Sequence, residues 1–170
     1  MFRGNYAGCM GTNDRVGTFI EQWRRERPDL DPSPMAVIGR MRRISDDFTS
    51  ELIRNYRRFG LGEGEFDVLC ALRRAGSPFA LSQGDLAQHT MVTAGATSKR
   101  VDRLEAAGLV IRSQREDDTR GRIVELTPEG RALIDEAYPA HLQTERRLLS
   151  SLSDEERSQL ERLLRKLVRD

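Results

Sequence analysis

No run of about 18 apolar residues occurs in the chain, so no segment suits a membrane-spanning helix. The opening residues, MFRGNYAGCMG, lack an apolar core and a periodic pattern; they read as a flexible tail over 1–12 and not as a secretory signal. Cysteine is scarce: only Cys9 and Cys70 are present, far apart, which excludes a disulfide framework. Cys70 follows Val68 and Leu69, as a buried reduced thiol would, and a cytoplasmic protein is expected. With two histidines, His89 and His141, and no CxxC, no metal site and no cofactor is expected. No nucleophile–His–acid arrangement or phosphate-cradling loop can be placed, and Asp46 and Asp47, being adjacent, point in different directions on a helix. An enzyme is not expected. An excess of one charge is lacking too: 28 basic residues face 27 acidic ones, for a formal charge of +1. Any affinity for nucleic acid must therefore come from clustering.

What is present is a series of well-punctuated helices in a chain of 170 residues, long enough for one domain with extensions. Asn13 or Asp14 caps a first helix running to Arg27, where Pro28 ends it; Val16, Phe19, Ile20 and Trp23 form its apolar stripe. Ser33-Pro34 starts a long helix to about Phe59, stopped by Gly60 and Gly62. Glu63 to Ala75 forms the next, with Phe66, Leu69, Cys70 and Leu72 inward. LSQGD (81–85) opens a short helix to Thr90, and Thr93 caps another reaching Ala107, where Gly108 stops it. The period then changes. LVIRSQ (109–114) and GRIVELT (121–127) read as two strands joined by the charged loop REDDTR. Thr127-Pro128 caps a helix with a bend near Pro139, and Ser153 with Glu156 forms a capping box for the last, where Leu160, Leu163, Leu164 and Leu167 recur at helical spacing.

A short helix, a tight turn, a second helix and a hairpin make a winged helix-turn-helix. The fold class expected is mainly α with a small β-hairpin wing. The apolar stripes of the outer helices exceed what so small a domain hides, so a homodimer through the N- and C-terminal helices is expected. The organisation is a tail at 1–12, an extra helix and a dimerisation helix at 13–60, the winged unit at 61–127, and C-terminal dimerisation helices at 128–170. On the helix 93–107, Val101, Leu104 and Ala107 point to the core, leaving Thr97, Ser98, Lys99, Arg100 and Arg103 on other faces. Such a helix fits the major groove, with its N-terminus toward phosphates. For Lys99 and Arg103 the competing reading is an ion pair on the helix surface, with Asp102 or Glu105 as partner.

The segment SQGDLAQHTMVTAGATSKRVDRLEAAGLVIRSQREDDTRGRIVELTPEGRALI resembles the core of a MarR-type transcriptional regulator. The resemblance rests on the helix TSKRVDRLEAAGLV, the Asp118-x-Arg120 wing motif and the LTPEGR opening the next helix. It implies a homodimer on a palindromic double-stranded operator, acting as a ligand-released repressor. Thr93, Thr97, Ser98, Lys99, Arg100, Arg103, Asp118, Arg120 and Arg122 are then the DNA-binding residues, with Arg120 in the minor groove and Asp118 orienting it. Thr119 stands where many relatives carry a further arginine, a departure for which Arg122 could compensate.

The N-terminal helix containing IEQWRRERPDLD is similar to that of the urate-responsive subgroup. That resemblance assigns a ligand site to Trp23, Asp67, Arg100 and Arg112, with Phe66 where the subgroup has a tryptophan. A planar purine anion calls for an aromatic face and a guanidinium fork, which these residues supply. An ion pair between Asp67 and Arg112 is expected to tie the helix beside the site to the first wing strand. The alternatives are a MarR-type regulator of another aromatic or polycarboxylate anion, and a redox sensor acting through Cys9 or Cys70.

Overall fold

The computed structural model describes residues 14–90, 94–115 and 118–168, with side chains at 94–96, 114–115 and 118–121 outside the description. The tail at 1–12, Cys9, Asn13 and Thr93 lie outside the described residues. Among the described residues, seven helices and three strands follow in the order α1 (Arg15–Glu26), α2 (Met35–Arg57), α3 (Glu63–Arg74), β1 (Ala80–Ser82), α4 (Gln83–His89), α5 (Ala94–Ala106), β2 (Val110–Arg115), β3 (Asp118–Leu126), α6 (Pro128–Leu148) and α7 (Asp154–Arg165). Two compact units result, Met1–Thr49 and Ser50–Asp170.

In the first unit, Asp14 caps α1 by accepting from the Gly17 amide at 2.7 Å, and Arg40 on α2 grips the same carboxylate through Nε at 2.8 Å. Val16 packs against Gly39, where a Cβ would lie 3.1 Å from a Val16 methyl. Val16 and Ile20 are buried, while Phe19 and Trp23 on the same stripe are exposed. Ser33 does not cap α2 as expected. Its hydroxyl donates instead to Asp31 at 2.8 Å.

In the second unit the core gathers around α3. Val68, Leu69 and Leu72 have no accessible surface, and Leu86, Val101, Val124 and Ile134 close over them from α4, α5, β3 and α6. Tyr56 stacks on Phe66 with centroids 4.2 Å apart and meets His141 Nδ1 at 3.2 Å. Burial pushes the Cys70 thiol up to about 12, with Asp67 adding to the shift, so this sulfur stays a thiol at neutral pH. A low-pKa redox sensor therefore finds no support at Cys70.

The sheet runs β1-β3-β2, all antiparallel. The sequence reading missed β1, whose three residues are too few to show a period; Ala80 pairs with Glu125 and Ser82 with Ile123. Arg115 and Asp118–Arg120, expected in the loop, belong to strands: β2 extends to Arg115 and β3 starts at Asp118. Helix α6 runs unbroken through Pro139, and Ala107, expected in the core, is exposed. The capping box of α7 is formed, with Ser153 and Glu156 bonded reciprocally, and its leucine stripe is open: Leu163 is 58% exposed.

Candidate nucleic-acid and ligand site

The helix pair α4–α5 is set by capping and core packing. Ser82 accepts from the Asp85 amide at 3.0 Å and starts α4; Thr90, at its end, donates to the Leu86 carbonyl at 2.8 Å. Thr90 Oγ1 also lies 3.4 Å from Thr97 Oγ1. Thr97 has no accessible surface, which corrects its expected place on the outer, DNA-facing side of α5. Four residues before Val101, one turn along the same face, it lies under the helix and braces it against α4. Of the other residues read as DNA-facing, Lys99, Arg103 and Arg122 are exposed, and Ser98 and Arg100 are half-buried. The side chains of Asp118 and Arg120 lie outside the description, as does Thr93. Arg103 does form an ion pair, with neither neighbour considered from sequence: its partner is Glu65 on α3, at 2.8 Å.

Asp102 and Glu105 hold Arg112 instead. Arg112 on β2 donates to Asp102 Oδ1 at 2.5 Å, to Glu105 Oε2 at 2.6 Å and to the Ser98 carbonyl at 3.2 Å. Residues 98, 102 and 105 stand one and two turns apart, so a single stripe of α5 receives both terminal nitrogens of the guanidinium, while its buried Nε has no hydrogen-bond partner among the described residues. Burial works against the charge, but the two carboxylates outweigh it and hold the Arg112 group above its ordinary range. The arrangement corrects the expected Asp67–Arg112 pair. Asp67 forms no ion pair with any described residue, and the carboxylates that hold the arginine belong to α5. What Arg112 ties to the wing is therefore α5, not α3.

Arg100 extends from α5 across Gly64 of α3. A Cβ at Gly64 would lie 2.0 Å from Arg100 Nε, so only glycine admits the side chain there. No described residue hydrogen-bonds or pairs with this guanidinium. Gly64 lies one turn before Asp67, so Arg100 and Asp67 share the α3–α5 border. Trp23 belongs to the other unit and is 50% exposed.

The LTPEGR segment proves to be a joint. Leu126 is buried. Thr127 accepts from the Gly130 amide at 2.9 Å, capping α6, and donates to the Gly108 carbonyl at 2.8 Å. Gly108, with φ of 70°, ends α5 in the left-handed turn that glycine adopts without cost. Arg131 lies over the Phe79 ring at 4.5 Å. One motif thus ties the end of α5 to the start of α6. Among the described residues no cluster of His, Cys, Asp and Glu could hold a metal, and no helix is long and apolar enough to cross a membrane.

A family model described as the MarR family matches residues 59–122. The transcriptional regulator PecS of Dickeya dadantii is 40% identical over 149 residues, 88% of this chain and 90% of its own. Among solved structures, BpsR of Bordetella bronchiseptica, whose DNA binding is described as regulated by 6-hydroxynicotinic acid, matches with a TM-score of 0.68 at 31% identity. That match covers 78% of this chain and 98% of BpsR. AbsC of Streptomyces coelicolor matches with a TM-score of 0.74 at 25% identity, covering 81% of this chain and 93% of AbsC. With its winged helix-turn-helix and these relatives, the chain belongs to the MarR family of DNA-binding transcriptional regulators.

Proposed function

We propose that the protein is a homodimeric repressor that binds a palindromic operator and is released by a small planar anion, urate or a related purine. The observation that supports the ligand reading is that two guanidiniums sit at the borders of α5, one joining it to β2 and one reaching α3. Arg112 grips α5 from the wing, and Arg100 leaves α5 for the α3 border with no partner among the described residues. An anion drawn to both competes with Asp102 and Glu105 for Arg112 and loosens the joint between α5 and β2. Release then requires only that the ligand prefer the loosened state by the usual coupling, about 1–3 kcal/mol. Asp67 borders this region, and Trp23 is the fourth residue that the resemblance assigns. In DNA binding, Lys99, Arg103 and Arg122 supply exposed cations, and the wing carries Arg120.

Trp23 is the sole tryptophan, so urate binding is expected to quench the intrinsic fluorescence saturably and to release DNA in a gel shift over the same concentration range. The competing effector is a hydroxylated pyridine carboxylate, favoured by the likeness to BpsR. Stronger quenching and release by 6-hydroxynicotinate than by urate would replace the purine reading. A response to neither would remove both.

Gly64→Ala is expected to blunt the urate response while leaving the melting temperature near that of the parent. The new methyl displaces the end of a flexible arginine, not backbone. A melt as low as that of a core variant, or an unchanged urate midpoint, would dissociate Gly64 from the ligand.

The dimer is proposed to form through the apolar faces left open on the terminal helices. These are Val37, Ile38 and Ile44 on α2, and Leu160, Leu163 and Leu167 on α7. Sedimentation at micromolar concentration is expected to give about twice 19.4 kDa. A monomer under those conditions would contradict this assembly.

A further inference from the structure

A cavity of about 350 Å³ lies between the C-terminal part of α2 and the second half of α6, within the second unit. Glu51, Arg54 and Asn55 line it from α2, Arg58 from the turn that follows α2, and Gln143 and Arg147 from α6. Glu51, Arg54 and Asn55 follow i, i+3, i+4 along one face of that helix. None of these residues belongs to the Arg100–Arg112 region.

Two features make the cavity a site and not merely a gap between charged helices. The first is Asn55, which is 5% exposed and whose Nδ2 is buried without a hydrogen-bond partner among the described residues. A buried amide nitrogen is unfavourable unless something accepts from it, and an apolar side chain at the same place would avoid the cost. The second is charge. Three guanidiniums face one carboxylate. Glu51 accepts from Arg54 at 2.6 Å and from Arg147 at 2.8 Å, whereas Arg58 pairs with no described residue. The free donors are thus the Arg58 fork, the Asn55 amide and the Gln143 amide, with positive charge in excess. That set matches an acceptor-rich, negatively charged group.

We infer that this groove is a second ligand site, which takes a small oxyanion, a carboxylate or a phosphate. The anion sits on Asn55 Nδ2 and on the Arg58 guanidinium. The cavity is at the small end of ligand pockets, about 300–1,000 Å³, and so suits a metabolite-sized ion and not a peptide or nucleic acid. Because Arg147 and Arg54 meet on Glu51, a bound oxyanion also competes with that carboxylate and alters the tie between α2 and α6.

The test is calorimetry on the full-length dimer in a chloride buffer, with inorganic phosphate and succinate as separate probes. Saturable binding of either at near one equivalent per chain is expected, and the tighter of the two names the chemistry. Arg58→Gln, at an exposed position that folding does not need, is expected to weaken binding about tenfold, the loss of one charged hydrogen bond. Asn55→Leu is expected to abolish binding while melting no lower than the parent. Both variants keep urate quenching of Trp23, so failure of the urate reading and failure of this one are separable. No saturable heat from either anion would overturn the site. So would binding that is as tight in Arg58→Gln as in the parent, because the anion then sits elsewhere.

Discussion

Gly130→Ala is expected to lower the melting temperature by roughly 10 °C, from a cost of about 3 kcal/mol or more. A Cβ at this position would lie 1.9 Å from the Leu109 carbonyl oxygen and 2.8 Å from its carbon. The obstacle is backbone, so no rotamer change relieves it. The Leu109 carbonyl is moreover engaged, accepting from the Thr127 amide at 3.1 Å. Moving it pulls the start of β2 away from the cap of α6, where Thr127 also holds the Gly108 carbonyl. The glycine of LTPEGR is thus fixed by the close approach of two elements, and Gly64→Ala is its control, since there the clash falls on a flexible side chain. Thermal melts of the two variants side by side decide the matter. A Gly130→Ala melt within about 2 °C of the parent would show that β2 and α6 can separate without consequence.

The same joint shows what could be read from the sequence and what could not. Helix starts were legible because capping is local: Asp14, Ser82, Thr127 and Ser153 each bond an amide three residues on. Gly108 was legible because a left-handed turn after a helix has few other solutions. The failures share one cause. Thr97 was read from a helical wheel as outward, yet the partner that buries it, Thr90, comes from another helix. Arg112 was assigned to Asp67 although Asp102 and Glu105 stand three apart on the recognition helix, a spacing that marks one face. Which face β2 meets depends on the turn at Gly108 and on the pleat of the strand, and no local pattern reports that. Strand β1 is defined only by its pairing with β3, and Glu65 finds Arg103 across the α3–α5 contact. The Asn55 cavity needed two helices in register before an unpartnered amide could be seen at all.

The clamp on Arg112 leads to a prediction in which electrostatics and positioning disagree in sign. Asp102 and Glu105 project from the helix proposed to enter the major groove, and their side chains are 59% and 40% exposed. Were they only surface charges, replacing both by amides would remove repulsion from the phosphates and tighten DNA binding. If they act by holding β2 to α5 through Arg112, whose side chain is 13% exposed, the same change weakens binding. The wing and the recognition helix then lose their fixed spacing and cannot engage adjacent grooves together. The double variant Asp102→Asn, Glu105→Gln is expected to bind operator about tenfold less tightly. That corresponds to about 1.4 kcal/mol, a modest figure because solvent already screens the two acids. Arg120→Ala is the counterpart. Loss of this one wing cation lowers affinity and flattens the dependence on salt by about one charge. Gel shifts of parent, double variant and Arg120→Ala across a salt series measure both quantities. An affinity of the double variant equal to or above the parent's would show that Arg112 does not position the recognition helix.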